Sequence, residues 1–542
     1  MNPALILVLT CCLAGSPDAW PAFLGQGASA VDPASIPLNW SPTENIAWTA
    51  KIPGKGQSSP VIWGDSVFVT SIEGSMKDKC HLVALSLTDG HELWRKEFES
   101  PQTTRSNYFQ SRSAPTPVVD GERVYAFFET GILVACSQST GEVVWQRSLT
   151  EEYGAFESNI GLAASPILVN GTLAVLIDHE GPSYLLGVNP QTGENLWKTD
   201  RTSRTSYASP SAVTIAGKPQ IVCSSAGSID GYDPQTGETL WTYEEKIGGN
   251  RSGAALQISD GTFAIGASPG MHNEKEEEAK NTNFVMHVEK VDGKFVPKVQ
   301  WKTDEAMPSF NSPIAHNGYA YWVNKVGVVY CFNLQTGEKC YTSRTNGICW
   351  ATPVGLGDRV YLFGKDGKTT VLATGPEFKI LAENQLWDPD KVGDDNANRA
   401  RGRRSRGGTA GGGHGGGEHK ESQPAANGTP SDKATTPEKP AETPPAAAPT
   451  STEKTEDKPT AKPDESAAKP STTKDGHGEG PHGGGRLAMT DKEREANRAA
   501  GENRFADPVQ YGVAIVNGSL VIRSGEMVYC VRNGGSSKTA AK

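Results

Sequence analysis

Short apolar runs alternate with Gly-containing turns along most of this chain, and the alternation itself repeats. Over residues 113–149 it reads Ala114-Pro115-Thr116-Pro117-Val118-Val119, a turn at Asp120-Gly121, then Arg123-Val124-Tyr125-Ala126-Phe127-Phe128. A break at Thr130-Gly131, the run Ile132-Leu133-Val134-Ala135-Cys136, a turn at Ser139-Thr140-Gly141 and Val143-Val144-Trp145 complete the unit. Runs this short, rich in β-branched and aromatic residues, predict four strands and no helix. Asp-Gly or Asn-Gly steps recur at one place in the unit, at Asp120-Gly121, Asn170-Gly171, Asp260-Gly261, Asn317-Gly318 and Asn517-Gly518. Gly takes positive φ there cheaply, as a tight hairpin requires.

Each unit closes on a Gly-Glu turn and a Trp. Trp94, Trp145, Trp197 and Trp241 follow one another at 51, 52 and 44 residues, and Gln335-Thr336-Gly337-Glu338-Lys339-Cys340-Tyr341 is a worn copy. A fixed period of this size predicts a repeat architecture. Units begin near Ser58, Ser113, Ala163, Tyr207, Ser252, Asn311, Ala351 and Tyr511. The last has three strands, and Asn45-Ile46-Ala47-Trp48-Thr49-Ala50 supplies the missing one. The expected fold is all-β: an eight-bladed β-propeller of four-stranded antiparallel blades, its last blade closed by the N-terminal strand. Trp48, Trp94, Trp145, Trp197, Trp241 and Trp301 are expected to pack between blades. Blade five is the least regular, with Glu274 to Lys280 read as a solvated loop.

The run from Ala4 to Ala14 is apolar but too short to span a bilayer, and small residues follow it. Residues 1–19 therefore read as a signal peptide. The mature chain is expected in the periplasm or outside the cell, with Cys12 offering a lipoprotein acceptor. No other segment suits a transmembrane helix. The net charge of −10 argues against a nucleic-acid partner. Propeller residues are assigned to 20–387 and 504–533, and 534–542 is expected to be a disordered tail. Residues 388–503 hold no Phe, Tyr or Trp, and Val392, Leu487 and Met489 are their only large apolar residues. Such an insert cannot bury enough surface to order itself, although Thr490-Asp491-Lys492-Glu493 has the form of a capping box opening a short helix. His414, His419, His477 and His482 lie among its glycines, where only weak, unorganised metal binding follows.

The Gln-Thr-Gly-Glu-x-Leu-Trp turn, the opening Trp20-Pro21-Ala22-Phe23-Leu24-Gly25 and Ser58-Ser59-Pro60-Val61-Ile62-Trp63-Gly64-Asp65 resemble the pyrroloquinoline quinone (PQQ)-like propeller repeat of secreted bacterial proteins. The resemblance covers nearly all of the chain except the signal and the insert. It implies one fold and two kinds of function. BamB-type outer-membrane assembly lipoproteins are non-catalytic and bind protein partners; quinoprotein alcohol and sugar dehydrogenases use PQQ with Ca²⁺. No adjacent Cys pair survives the signal, whereas many such dehydrogenases hold a vicinal disulfide against the quinone. No catalytic residue carries over, and no cofactor is expected. The resulting reading is a monomeric, non-catalytic binding or scaffold propeller of the cell envelope, with a protein or polysaccharide partner. A PQQ-dependent oxidoreductase and a carbohydrate-binding propeller are the alternatives.

A ligand site, if present, belongs where the loops leading into the innermost strands converge on one mouth of the central channel. These loops hold Gln57, Arg112, Asn159, Tyr207, Arg251, Asn311, Trp350 and Tyr511, with Glu157 nearby. Two Arg, amides and aromatic rings suit an anionic or sugar-like ligand. The seven mature cysteines are odd in number and irregular in spacing, so they form no disulfide framework. They read as buried thiols acting as small hydrophobes, with Cys340 and Cys349, which flank the passage from blade six to blade seven, as the one pair to check for a bridge.

Overall fold

A computed structural model describes residues 18–25, 31–104, 112–158, 160–270, 275–347, 349, 351–388 and 512–535, with the backbone of 538–539. The expected signal peptide, the insert from 389 onward with its four histidines and its capping box, and Asn159, Trp350 and Tyr511 lie outside the described residues. The described residues form eight sheets of antiparallel blade strands, each beside its sequence neighbour except where N-terminal strands join the first and last blades, as an eight-bladed propeller requires. Blade three is representative: Ile167–Val169, Thr172–Ile177, Ser183–Val188 and Asn195–Arg201 run from the innermost strand to the rim. Its two middle strands are buried at every position, while the rim strand is largely exposed. Middle strands are covered on both faces by neighbouring blades and so read as continuous apolar runs.

Blade eight consists of Val513–Val516, Ser519–Arg523 and Met527–Val531, and its fourth strand is Ile46–Lys51. Trp48 faces Cys530 and Thr49 faces Tyr529, so the first and last parts of the ring share one sheet. Within the 534–542 tail, Lys538–Thr539 pairs in parallel with Trp48–Thr49.

The repeated Trp has a defined environment. In blades one to six the register slips at the residue before it, or before the worn Tyr341, leaving one extra residue in a bulge. Leu93, Val144 and Leu196 are such bulge residues, which accounts for their exposure on the rim. The Trp ring lies against the Gly of the next blade's turn: a Cβ on Gly90 would stand 2.5 Å from the Trp48 ring, and one on Gly141 would stand 2.6 Å from that of Trp94. Each indole N–H then donates to a carbonyl of that next blade: Trp48 to Leu87 at 2.8 Å, Trp94 to Gln138 at 3.0 Å, Trp145 to Pro190 at 2.9 Å, Trp197 to Pro234 at 3.0 Å and Trp301 to Leu334 at 2.9 Å. Trp241 donates instead to Gln220 Oε1 within its own blade. Its neighbour, blade five, has replaced the Gly-Glu turn by a long hairpin, Phe284–Val291 and Lys294–Lys302. The acidic stretch read as a loop contains a short helix, Glu276–Lys280, because Ala279 is buried and Lys280 pairs with Glu276 and Glu277.

The N-terminal residues do more than close blade eight. Ala19–Trp20 pairs with the free edge of the innermost strand of blade one, Trp20 facing Ile62, and therefore runs inside the channel. Pro21 O accepts from Val119 N of blade two at 2.9 Å, and Ala22 packs among residues of blades two and three. Residues 31–45 then strap blades seven and eight. Gly518 N donates to Ser35 Oγ, Arg359 donates to Pro33 O and Ile36 O, and Asn384 exchanges bonds with Trp40 N and Leu38 O. Blade seven has Ala382 where six blades carry Trp and blade six carries Tyr341, and Trp40 is buried in the same apolar cluster as Ala382.

Candidate functional site: the face of the innermost-strand loops

A Ser/Thr-Pro step opens the innermost strand of six blades: Ser59-Pro60, Thr116-Pro117, Ser165-Pro166, Ser209-Pro210, Ser312-Pro313 and Thr352-Pro353. All six hydroxyl residues are buried. Each accepts a backbone N–H from the preceding blade. Gly512 N donates to Ser59 Oγ at 2.8 Å, Ser59 N to Thr116 Oγ1 at 2.9 Å, Thr116 N to Ser165 Oγ at 3.0 Å and Ser165 N to Ser209 Oγ at 3.0 Å. Ala254 N donates to Ser312 Oγ at 2.9 Å and Ser312 N to Thr352 Oγ1 at 3.1 Å. Blades five and eight present Ala254 and Gly512 at this place, so they donate to the ring without accepting from it. Proline following the hydroxyl residue keeps that residue extended. The sequence carried this signal as the recurring Ser/Thr-Pro, which the Trp period overshadowed.

Above this ring lie the predicted mouth residues. Gln57 and Arg112 bind each other reciprocally, Gln57 N to Arg112 O at 2.9 Å and Arg112 N to Gln57 Oε1 at 3.1 Å. Tyr207 N donates to Arg251 O at 2.6 Å, and Asn311 Nδ2 to Ala351 O at 3.5 Å. Arg112 and Asn311 are buried, Gln57 and Tyr207 half-buried, and Arg251 is exposed. Burial pushes the Tyr207 phenol above its usual range. The polar groups bound here are mostly backbone, and they join neighbouring blades one to two, four to five and six to seven.

The same face holds charged clusters that no sequence motif marks. Lys77 and Glu129 form an ion pair at 3.3 Å with both side chains about 1% exposed, and Ser113 N donates to the same Glu129 oxygen at 2.8 Å. Glu129 Oε2 and Ser113 Oγ are buried without hydrogen-bond partners, and Lys77 and Ser113 both have left-handed backbones, at φ 56° and 52°. Between blades three and four, Arg201 pairs with Asp178 at 2.9 Å and Asp230 at 3.3 Å and donates to Ser225 and Tyr232; Ser225 donates to Asp178, and Arg204 donates to Ser228. His179 is held neutral beside them. Its Nδ1 accepts from Glu157 N and Gly181 N at 3.0 and 3.1 Å, its Nε2–H donates to Pro182 O, and burial draws its pKa down. Glu157, the lone carboxylate noted beside the mouth, thus meets His179 through its backbone. Each cluster spans charge, loop and blade boundary, and its signal is three-dimensional.

The seven described cysteines are free thiols; Cys340 and Cys349 are not bridged. Cys349 is buried and paired to Gly364 by an isolated bridge. For a quinone cofactor, Arg112 and Arg251 would suit the carboxylates. No group of three His, Cys, Asp or Glu able to hold a divalent cation occurs among the described residues, and Trp20 to Ala22 take part of the channel. The described donor set does not fit PQQ with Ca²⁺.

The family model described as outer membrane protein assembly factor BamB matches residues 39–181 and 161–264, which hold the closing strand, blades one to four and the start of blade five. That match includes the Gly-Glu turns that lead to Trp94, Trp145, Trp197 and Trp241. The outer membrane protein assembly factor BamB of Nitrosomonas eutropha is 26% identical over 161 residues, covering 29% of this chain and 36% of that protein. The uncharacterized protein RC0314 of Rickettsia conorii is 31% identical over 90 residues, 16% of this chain and 20% of that one. The chain thus spans about a third and a fifth of the lengths of these curated relatives. Among solved structures, BamB from Moraxella catarrhalis superposes with a TM-score of 0.44 at 15% identity, covering 62% of this chain and 86% of that one. A europium-containing methanol dehydrogenase does so at 0.38 and 12%, covering 67% and 90%. Among the described residues no helix is long and apolar enough to cross a membrane.

Proposed function

We propose that this PQQ-like propeller is an exported, non-catalytic binding protein of the cell envelope that docks a protein partner on the face of its innermost-strand loops. The observation that carries the reading is how that face is built. Its buried charges are neutralised in blade-to-blade pairs, and its hydroxyls and amides serve the ring. What it offers outward is a rigid platform of loops on a braced scaffold, suited to holding a surface. The N-terminal segment enters the channel along blade one, where it further braces the ring. The sequence similarity to an outer-membrane assembly factor supports an envelope partner.

A photo-crosslinking amino acid at Arg251, on the loop face, and another at Leu196, on the rim, test the reading in the producing bacterium. The expected result is one discrete envelope-protein adduct from position 251, lost in the Arg112→Ala variant, and none from position 196. Adducts from the rim alone would overturn the choice of face. The mature protein is also titrated calorimetrically with PQQ and Ca²⁺. Saturable binding with dye-linked alcohol oxidation would replace the binding reading with an oxidoreductase.

A further inference from the structure

Cys331 and Cys340 sit on neighbouring strands of blade six, Val328–Asn333 and Lys339–Arg344. Cys331 faces Tyr341 and Phe332 faces Lys339, so Cys340 is the extra residue of the bulge between them. Both cysteines pack on one apolar cluster with Val329 and Phe378, whereas Phe332 lies in another with Trp322. The two thiols therefore share a face of the sheet. Cys340 is adjacent in sequence to the residue that faces Cys331 and is therefore a near neighbour of it across the ladder, the relationship a disulfide needs, with Cα atoms about 4.4–6.8 Å apart. Cys331 is fully buried and Cys340 partly exposed. Burial pushes the Cys331 thiol up, and the adjacent Cys340 adds to the effect. The first attack on an oxidant thus falls to Cys340.

We propose that Cys331 and Cys340 are an oxidisable dithiol site whose disulfide ties the rim strand of blade six to its neighbour. With a small organic disulfide as oxidant, the Cys340 thiolate attacks one sulfur and expels a thiolate. The Cys331 sulfur then displaces the second thiol from Cys340. Two protein thiols are oxidised, one disulfide is reduced to two thiols, and the protein protons end on those thiols. The location has a structural reason. Blade six is where the repeat's Trp has become Tyr341, which faces Cys331. Its rim strand therefore lacks the indole-to-carbonyl bond that ties most other blades to the next.

The test uses the full chain with oxidised glutathione, then alkylation with N-ethylmaleimide and tryptic digestion without reduction. Cleavage after Lys325, Lys339 and Arg344 puts the two cysteines on separate peptides, 326–339 and 340–344. The expected product joins these two peptides, two hydrogens lighter than their sum. In the Cys340→Ser variant Cys331 stays reduced. In the wild type, a glutathione adduct left on Cys340 with Cys331 free, or a link from 340–344 to peptide 345–359 carrying Cys349, would overturn the proposal. The chemistry needs only a disulfide donor, so its failure would leave the docking reading untouched.

Discussion

The backbone N–H of Ser59 donates to Thr116 Oγ1 at 2.9 Å, and both residues are buried. One blade's innermost strand is thereby fixed to the next by a side chain, and the relation recurs at six of the eight blade boundaries. Sheet hydrogen bonds hold each blade together but cannot join blades, because adjacent sheets meet face to face. The hydroxyls supply directional bonds where only apolar packing would otherwise act. They also satisfy N–H groups that would be buried without partners.

Ser165→Ala removes the acceptor for Thr116 N, while Ser165 N keeps its own bond to Ser209 Oγ. A buried donor left unpaired costs about 1–3 kcal/mol. The loss should appear as a lower urea midpoint with an unchanged slope. Ala254, which already lacks a hydroxyl at the matching place in blade five, serves as control: Ala254→Gly should leave Ser312 bonded and the ring links intact. A Ser165→Ala midpoint equal to wild type would remove these hydroxyls from the account of ring closure.

Trp48 is the most buried of the repeated tryptophans, at 1% exposure, and it stands at the seam where the ring closes. Trp48→Ala should cost about 3–5 kcal/mol, as large-to-small changes in a core do. Trp145 is half-buried, so Trp145→Ala should cost less. Gly90→Ala attacks the same contact from the other side, since the new Cβ meets the indole at 2.5 Å and Gly90 has φ 78°. Thermal melts of the three variants should rank Trp145→Ala as the mildest. Equal losses for both tryptophans would mean that burial does not set their worth.

The blades, their number and the closing strand were legible because each rests on local periodicity: apolar runs, Gly turns and the Trp interval. Trp48 could be placed by counting back from Trp94. The docking of Trp241 was not legible, since it depends on blade five having lost its Gly-Glu turn, a property of a neighbour. The helix at Glu276–Lys280 escaped because five charged or small residues carry no helical period. Mouth residues such as Gln57 and Arg112 could be assigned to one face by topology. That their bonds run to each other, and that Arg201 and Asp178 meet 23 residues apart on the same face, depends on distances no spacing encodes.

Arg201 lies between Asp178 and Asp230 with its side chain about 2% exposed. Deleting one member of a buried ion pair strands the others, typically at 3–5 kcal/mol. Arg201→Ala should therefore destabilise strongly, leaving two carboxylates to face each other across blades three and four. The triple variant Arg201→Met, Asp178→Leu, Asp230→Leu should recover much of that loss, because it removes every stranded charge together. Denaturant titration of the single and triple variants separates these outcomes. A triple variant less stable than Arg201→Ala would mean that the network is worth more than an apolar replacement.

Acid should weaken the fold before any carboxylate titrates. His179 and His316 are both drawn below the ordinary histidine pKa, chiefly by burial. His179 Nδ1 accepts two backbone N–H bonds and cannot take a proton without losing them, while His316 donates to Gly357 O at 2.8 Å from a half-buried position between blades six and seven. In the unfolded chain both titrate near 6.5. Above that value neither state is protonated at these sites and their contribution is fully present. As pH falls below about 6.5 the unfolded chain gains protons first, and stability drops until the lower folded-state pKa values are reached. Urea midpoints should therefore fall between pH 7.5 and pH 5.5, and the fall should shrink in a His179→Gln, His316→Gln double variant. A double variant with the same pH dependence as wild type would assign the acid sensitivity to other groups.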